Sequence, residues 1–292
     1  MSKKHRSKGK QAKATAADFV DALRVGPDFV LAEADPGSTP AYDGSKKDSV
    51  RTMAKSRDEI DDLQERLFAG GRDGDGPSVL LVLQGMDTAG KGGILRHVVG
   101  AVDPQGVSIH AFKVPTKEES EHPFLWRIRR QLPRPGYIGV FDRSHYEDVL
   151  VVRVHDLVPP KVWQRRYSEI NNFEKSCNDK GIHLVKVMLH ISPEEQKQRL
   201  AERLDRPDKY WKFNPGDIDE RELWDDYQAA YQAVLAKTST EDNPWYVVPA
   251  DHKWYARLAV HQLLLHVLRD LQAPWPPADF DVAEQQRRLA AT

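Results

Sequence analysis

The stretch Ser78–Gly93, SVLLVLQGMDTAGKGG, decides the fold. Its first seven residues form a nearly continuous apolar run, which is typical of a strand covered on both faces in a parallel sheet. The rest nearly matches the phosphate-binding loop G-x-x-x-x-G-K-[ST], with Gly85, Gly90 and Lys91 in register. Gly92 occupies the position of the usual Ser or Thr, so the loop lacks the hydroxyl that normally holds magnesium.

The loop has the features of a phosphate site. The backbone N–H groups from Gly90 to Gly93 can converge on a phosphate at the N-terminus of the following helix, where the helix dipole also favours an anion. A plain glycine-rich turn is the alternative, but the strand before, the helix after and the Gly–Lys spacing favour phosphate binding. The sequence therefore predicts a phosphate site built from Gly85, Gly90, Lys91, Gly92, Gly93 and Arg96.

A second apolar strand, YIGVF, ends at Asp142 in the segment YIGVFDRSHYED. An acid at such a strand end holds magnesium in P-loop enzymes. Asp87, inside the loop, and Asp142 can together supply two carboxylates to one hard cation, which prefers oxygen ligands and keeps several waters. We therefore predict a site for Mg²⁺, with Mn²⁺ as the alternative. Arg143 is placed to reach a phosphate, and His145 is either a further phosphate contact or a packed residue.

A third segment, RLAERLDRPDKYWKFNPGD at residues 199–217, is dense in cations and contains helix breakers. One interpretation is a mobile lid, at about residues 203–217, that brings cations over the transferring phosphates. A solvated charged face is the alternative. The two preceding motifs favour the lid, with Arg203, Arg206 and Lys209 as phosphate contacts. A separate cluster is either an anion track or surface charge: Arg127, Arg129, Arg130 and Arg134.

Strand and helix patterns alternate along the chain, which predicts a three-layer α/β fold with a parallel sheet. In such sheets ligands lie beyond the carboxyl ends of the strands, where both motifs fall. We expect an irregular, basic lead-in at residues 1–45, the main domain at 46–275 and a tail at 276–292. Single helices are expected at Lys46–Phe68, Asp219–Ala236 and Lys253–Leu271.

Composition limits the possible functions. The 292 residues carry 43 basic and 44 acidic side chains, a formal charge of −1, so bulk attraction to nucleic acid or to an anionic membrane is not expected. No apolar run approaches the ~18–20 residues that span a bilayer. The single cysteine, Cys177, excludes an internal disulfide and fits a reducing cytosol. We therefore expect a cytoplasmic protein whose anion binding comes from local clusters.

Taken together, these motifs closely resemble the family-2 polyphosphate kinases, from about Asp48 to Leu271. The resemblance rests on GMDTAGKGG, on DPQGVSIHAFKVPTKEESEHPFLWRIRRQLPRPGYIGVFDRSHYEDVLVVRVH, on RLDRPDKYWKFNPGD and on NPWYVVPADHKWYARLAV. It implies a three-layer α/β, P-loop kinase-like fold similar to that of thymidylate kinase, with a parallel sheet and a helical lid. It also implies reversible transfer of a phosphoryl group between inorganic polyphosphate and a nucleotide, with magnesium.

Carried over by this resemblance, Asp87 and Asp142 match metal-binding acids, Lys91 and Arg143 match phosphate-binding residues, and Arg203 and Lys209 match lid cations. The resemblance also implies a homo-oligomer, a dimer or a tetramer. Three segments, FKVPTKEE, HPFLWR and YEDVLVVRVH, are similar to the subgroup that accepts both AMP and ADP. Some members of that subgroup carry Asn at the position of Asp142, so the preferred acceptor stays open, with guanine nucleotides as an alternative to adenine ones.

Two other functions remain open from the sequence. An ATP-dependent nucleoside monophosphate kinase would share the loop and the strand-end acid but would not need the extra basic segments. A non-catalytic nucleotide-binding switch would bind phosphate without transferring it. The absence of an Asn-Lys-x-Asp guanine-reading segment disfavours a GTPase-like switch.

Overall fold

A computed structural model describes residues 14–292. The strands lie at Ser78–Gln84 (β1), Val107–Ala111 (β2), Ile138–Asp142 (β3), Ile182–His190 (β4) and Trp245–Pro249 (β5). The helices of the amino-terminal half are Ala16–Leu23 (α1), Lys46–Lys55 (α2), Arg57–Gly70 (α3), Lys91–His97 (α4), Lys117–Ser120 (α5) and Leu125–Arg129 (α6). The later helices are Val151–Val154 (α7), Pro160–Asn178 (α8), Pro193–Leu204 (α9), Gly216–Glu222 (α10), Trp224–Thr238 (α11), Lys253–Leu271 (α12) and Val282–Ala290 (α13). Short 3₁₀ turns lie at Leu31–Glu33, Val99–Ala101, Pro104–Gly106, His145–Asp148 and Pro207–Lys212.

The five strands form one sheet in the order β2-β3-β1-β4-β5, and every neighbouring pair is parallel. β1 is central, and all seven of its residues are buried. Burial on both faces explains why this strand is a continuous apolar run rather than an alternating one. The predicted α/β fold with a parallel sheet flanked by helices is confirmed.

The sheet order places the predicted site at one edge. After β1 the chain builds β2 and β3 on one side, then crosses to build β4 and β5 on the other. Ligands of open parallel sheets bind where the order reverses, beyond the carboxyl ends of the strands. Leu83 of β1 pairs with Asp142 of β3, so the phosphate loop and the strand-end acid leave the sheet side by side.

The expectation of an irregular lead-in is wrong for Ala16–Leu23, which form α1. Thr15 caps this helix through a capping box with Asp18. Phe19 is 1% exposed, because α1 packs against α12 and its aromatic ring lies 6.3 Å from that of Tyr255. The helical pattern of apolar residues in this segment is short, and the turn formers that follow it indicated irregular structure instead. The basic segment 1–13 lies outside the described residues.

Two predicted single helices are each broken in two, whereas the helix Lys253–Leu271 is confirmed. The first break is at Ser56, whose hydroxyl is 2.8 Å from Nε2 of His261 on α12. The second is at Leu223, which separates α10 from α11. At both positions the helical pattern is continuous in the sequence, but the folded chain interrupts the helix. At Ser56 the interruption coincides with a tertiary contact, which can override local helix propensity.

The carboxyl-terminal residues 276–292 contain α13, and no residue of that helix is buried. Among residues 14–292, no helix is long and apolar enough to cross a membrane. The boundaries of the kinase domain and of the lid stay predictions.

Candidate active site

The phosphate loop joins β1 to α4 and depends on glycine at two positions. Gly90 has φ +119°, and it begins α4 as its N-cap. Gly85 has φ +152°, and a Cβ there would lie 2.7 Å from the carbonyl oxygen of Leu189 on β4. A side chain at either position is therefore strained, which explains the register of the glycines in the motif.

Lys91, the first residue of α4, points back into the loop. Its Nζ donates a hydrogen bond to the carbonyl oxygen of Gly85 at 2.7 Å. Burial lowers the pKa of Lys91 and Arg143 adds to this, whereas Asp87, Asp142 and Glu147 raise it; the net pKa lies below the ordinary value. The ammonium thus lies within the field of the acids that the sequence predicted beside it.

Asp87 and Arg143 form the link between the loop and the end of β3. Arg143 Nη2 lies 2.9 Å from Asp87 Oδ1, and the two side chains are 42% and 30% exposed. Arg143 has φ +61°, and its backbone N–H donates to Leu83 at 3.1 Å. Burial lowers the pKa of Arg143, but Glu147 and Asp87 raise it by more, so the guanidinium stays charged.

A cavity of about 540 Å³, which we call the cationic cavity, opens on one side of the loop. Its acids are Asp87, Asp142 and Glu202. Its basic side chains are Lys91, Arg96, His97, Arg199, Arg203, Arg206, Lys209, Lys212, Lys253 and Arg257. The excess of cations makes this cavity suited to an anion with several charges.

A second cavity of about 340 Å³, which we call the tyrosine cavity, opens on the other side of Asp87. Besides the shared Asp87, it contains three acids of its own, Glu147, Asp217 and Glu220, beside a single arginine, Arg143. Its remaining side chains are Met86, Val114, Leu150, Val151, Gln196, Asn214, Tyr227 and Tyr231. The mixture of apolar, aromatic and hydrogen-bonding groups is typical of a site for a small organic molecule.

Burial raises the pKa of three ionisable side chains that line the tyrosine cavity. Burial raises the pKa of Tyr227 and of Tyr231, so both hydroxyls carry their protons at neutral pH. Tyr227 donates to Glu220 at 2.7 Å. Burial also raises the pKa of Glu147, although Arg143, a hydrogen bond from Gln84 and Lys91 lower it.

A model of the family described as Polyphosphate kinase 2 matches residues 43–274. The chain belongs to this family. The AMP/ADP-polyphosphate phosphotransferase of Meiothermus ruber is 47% identical over 255 residues, which cover 87% of this chain and 94% of that protein. The ADP-polyphosphate phosphotransferase of Rhodopseudomonas palustris is 43% identical over 249 residues, covering 81% and 84%.

A solved structure agrees with these relatives. The crystal structure of Polyphosphate Kinase 2 from Arthrobacter aurescens TC1 is 53% identical, covers 96% of this chain and 98% of that chain, and superposes with a TM-score of 0.92. The predicted family, the P-loop kinase-like fold and the predicted class of enzyme, a kinase, are therefore confirmed.

In this polyphosphate kinase 2 chain, the predicted site residues converge with one exception. The loop residues Asp87, Gly90, Lys91, Gly92, Gly93 and Arg96, the strand-end acid Asp142 and the lid residues Arg203, Arg206 and Lys209 line the cationic cavity. Gly85 and Arg143 line the tyrosine cavity. His145 does not reach either cavity: it is 0% exposed, and its Nε2 lies 3.2 Å from Glu174 in the core. The phosphate role predicted for His145 is corrected to a packed residue.

Other arginines of the cation-rich segments have partners within the protein. Arg199, at the start of the segment 199–217, is 4% exposed and held by backbone carbonyl groups. The four arginines considered as an anion track each lie over an aromatic ring, with distances from 4.7 to 5.4 Å between guanidinium carbon and ring centroid. They are Arg127, Arg129, Arg130 and Arg134.

The lid cations are partly neutralised within the protein. Arg203 lies 3.2 Å from Asp217 and donates to the carbonyl of Lys212 at 2.8 Å. Asp208 pairs with Arg206 at 2.8 Å and with Lys209 at 3.4 Å. Because Arg206 and Asp208 are both 59% exposed, this pairing is weak and leaves the cations available to an incoming anion.

Sequence reasoning missed two basic residues on α12, Lys253 and Arg257, which complete the cationic cavity. Both follow β5 in the segment HKWYAR, where a helix starting at the carboxyl end of a strand places its first turns beside the site. That position was a usable signal.

The donor set fits a hard divalent cation. Asp87 and Asp142 both line the cationic cavity next to the loop. Within the described residues, no group of three or more His, Cys, Asp or Glu side chains is arranged to hold a metal. Mg²⁺ commonly takes only one or two carboxylates and completes its shell with water and substrate phosphate, so two acids are sufficient.

Proposed function

We propose that the protein transfers a phosphoryl group between inorganic polyphosphate and an adenine nucleotide, making ADP or ATP from AMP or ADP. The observation that carries this proposal is the pair of unlike cavities that meet at Asp87. One is suited to a polyanion and the other to a small organic molecule. A phosphoryl group needs to cross only the shared wall between them.

We assign polyphosphate to the cationic cavity and the nucleotide to the tyrosine cavity. The cationic cavity carries more basic groups than a triphosphate needs, which supports a longer anion. The tyrosine cavity carries three acids, so it disfavours a polyanion along most of its wall. Arg143, which reaches Asp87 from that side, is placed to hold the phosphate of the acceptor.

The reaction needs alignment rather than a protein nucleophile. A nucleotide phosphate oxygen is already anionic at neutral pH, so it can attack the terminal phosphorus of polyphosphate without a general base. A new P–O bond forms to the nucleotide, the bond to the bridging oxygen breaks, and polyphosphate leaves one unit shorter. Lys91, the loop amides and the lid cations stabilise the charge of the moving group.

Magnesium is proposed as the cofactor, with Mn²⁺ as the alternative. Asp87 and Asp142 would hold it, and a bound divalent ion would neutralise phosphate oxygens during transfer. Arg143 keeps Asp87 oriented from the side of the acceptor, which leaves Asp142 unobstructed by that ion pair.

The acceptor is proposed to be AMP or ADP, because the two phosphotransferases of Meiothermus ruber and Rhodopseudomonas palustris are named for these acceptors. The three acids of the tyrosine cavity also allow a guanine base, whose N1–H and amino group are donors, and GMP and GDP therefore belong in the test.

A donor–acceptor assay tests the proposal. Purified protein is incubated with Mg²⁺, polyphosphate and each of AMP, ADP, GMP and GDP, and the nucleotides are separated by chromatography. We expect ADP and ATP to form, and the Lys91→Ala variant to form neither above background. Equal rates with ATP as the donor and no polyphosphate would instead show an ATP-dependent monophosphate kinase. Tight nucleotide binding without turnover from any donor would show a switch.

A further inference from the structure

Helix α9 grips the phosphate loop through Arg199. Nη1 of this arginine donates to the carbonyl oxygens of Thr88 at 2.9 Å and Ala89 at 3.1 Å. Nη2 donates to the carbonyls of Ala250 at 2.6 Å and Asp251 at 2.9 Å, just after β5. One guanidinium therefore ties the loop, which follows β1, to the carboxyl end of β5, two strands away in the sheet.

The charge of Arg199 is already satisfied inside the protein. Its Nε donates to Glu195 at 2.7 Å on the same helix, and the side chain is 4% exposed. With one carboxylate and four carbonyl acceptors, the buried guanidinium has no free donor face to offer a phosphate. Its role lies in the backbone that it holds.

Gln196, one turn earlier on α9, holds the preceding loop residue. Its Nε2 donates to the carbonyl of Asp87 at 3.1 Å, and its Oε1 accepts from Nη1 of Arg221 at 2.6 Å. Arg221 belongs to α10, which begins at the end of the predicted lid, and also donates to the carbonyl of Pro193 at 3.0 Å. Gln196 is 2% exposed, although it lies in the wall of the tyrosine cavity.

The loop needs such external support. Thr88 has φ +64°, a left-handed conformation that is uncommon for a β-branched residue. Three consecutive carbonyls, those of Asp87, Thr88 and Ala89, accept hydrogen bonds from α9 rather than only from within the loop. These bonds fix the peptide planes directly around the carboxylate shared by the two cavities.

We propose that Gln196 and Arg199 are positioning residues that set the direction of the Asp87 carboxylate, and that Arg221 joins this arrangement to the lid. The inference rests on the proposed function for its kinetic consequence, but the loop geometry can be tested without activity. Small misplacements of a reacting group cost large factors in rate while leaving binding contacts in place. Loss of the grip should therefore lower kcat more than it raises KM.

The experiment compares Gln196→Met with Gln232→Met. Gln232 lines neither cavity and bonds to two backbone groups outside the loop: it accepts from the backbone N–H of Leu31 at 2.7 Å and donates to the carbonyl of Phe29 at 3.0 Å. For Gln196→Met we expect kcat to fall about 10- to 100-fold with KM for polyphosphate and nucleotide within about 3-fold. Gln232→Met should keep kcat within about 2-fold at a comparable loss of Tm.

Hydrogen exchange of the free protein gives an independent measurement. Amides of residues 85–93 should exchange faster in Gln196→Met and in Arg199→Lys, which keeps the charge but has too few donors for all five acceptors. Gln232→Met should leave this peptide unchanged. Arg221→Met should reproduce the Gln196→Met effect in weaker form, because it removes only the connection to the lid.

Clear outcomes would overturn the inference. One is unchanged exchange at 85–93 together with kcat near that of the unmodified protein. Another is a loss of kcat in Gln196→Met no larger than in Gln232→Met at matched Tm, which would show a merely structural role. If the unmodified protein has no polyphosphate-dependent activity, the proposed function fails, and the exchange data alone decide whether α9 holds the loop.

Discussion

At the scale of single residues, Asp87 is the point on which the site depends. It lines both cavities, forms the ion pair with Arg143 at 2.9 Å and offers its carbonyl to Gln196. Asp142 lines only the cationic cavity. The two carboxylates are therefore not equivalent: Asp87 borders both cavities and is paired with Arg143, so the proposed metal would share Asp87 with this arginine but not Asp142.

This asymmetry predicts the behaviour of Asp142→Asn. The amide keeps the shape of the side chain but removes a charge that a hard cation prefers, so the Mg²⁺ concentration for half-maximal activity should rise at least about tenfold. Titrating Mg²⁺ at saturating substrates measures it. Asp61→Asn, an exposed acid on α3, is the matched control and should leave the Mg²⁺ requirement unchanged. An unaltered requirement in Asp142→Asn would remove this residue from the metal site.

Residues of the same type have different roles in this protein, because burial and pairing decide those roles and the sequence alone does not show them. The positions of the loop glycines, Lys91 and Asp142 were predictable, because they follow from fixed spacing next to a strand. His145 and Arg199 were not, because burial and pairing with a distant Glu174 or with backbone carbonyls decide their role. Sequence reasoning locates charge but not which charges are already neutralised.

At the scale of elements, α12 performs two tasks. Its first turns present Lys253 and Arg257 to the cationic cavity, and its middle is buried against the sheet. Arg257 lies across from α4, with its guanidinium 3.6 Å from where a Cβ on Gly93 would be. Burial lowers the pKa of Arg257, and the neighbouring charges of Arg96 and Arg199 lower it further. A cluster of like charges such as this one gains most from a bound polyanion.

Arg257→Gln should therefore weaken the binding of long polyphosphate more than the binding of short polyphosphate. We expect KM for long chains to rise about 5- to 20-fold, as expected for loss of a charge-assisted contact, with a smaller change for tripolyphosphate. Raising the salt concentration should reduce the difference in KM between the variant and the unmodified protein. Salt screens interactions between exposed charges, and at physiological ionic strength those more than ~8 Å apart are already largely screened. Equal changes for both chain lengths would place Arg257 outside the extended contact.

The centre of α12 makes stability depend on pH through His261. This residue is 1% exposed, and burial lowers its pKa to about 4, against an unfolded value of 6.5, although Glu59 raises it. The unfolded chain therefore binds a proton that the folded protein does not between these values, and stability is lost as pH falls from about 6.5 towards 4.

Between about pH 7 and pH 5 this one histidine should remove about 2 kcal/mol from the free energy of unfolding. Urea denaturation of the unmodified protein and of His261→Gln at both pH values measures the contribution. The variant should lose less stability over the interval, because glutamine can still bond to Ser56 but does not titrate. Parallel pH profiles would show that His261 does not contribute.

At the scale of the whole molecule, residues 14–42, which precede the family match, are part of the fold. The family model begins at residue 43, yet α1 packs on α12, and Val25 donates to the carbonyl of Trp245 at 2.9 Å beside the edge strand β5. The layered α/β organisation was predictable from alternating strands and helices. The place of α1 was not, since an eight-residue helix followed by turn formers carries little periodic signal.

Phe19→Ala tests this role of α1. Removing a ring that is 1% exposed should lower the free energy of unfolding by about 3–5 kcal/mol, with a clear fall in Tm. Leu289→Ala, at a side chain that is 75% exposed on α13, should change stability by less than about 0.5 kcal/mol. A similar Tm for both variants would contradict the packing of α1.

The predicted dimer or tetramer is a separate prediction, which light scattering tests.

The separate mouths of the cationic and tyrosine cavities have a kinetic consequence. If each substrate enters by its own opening, neither has to leave before the other arrives, and both can be present when the phosphoryl group moves past Asp87. Initial-rate plots at several fixed concentrations of the second substrate would then intersect instead of running parallel. The order of addition would be random, and no phosphorylated enzyme would accumulate between half-reactions.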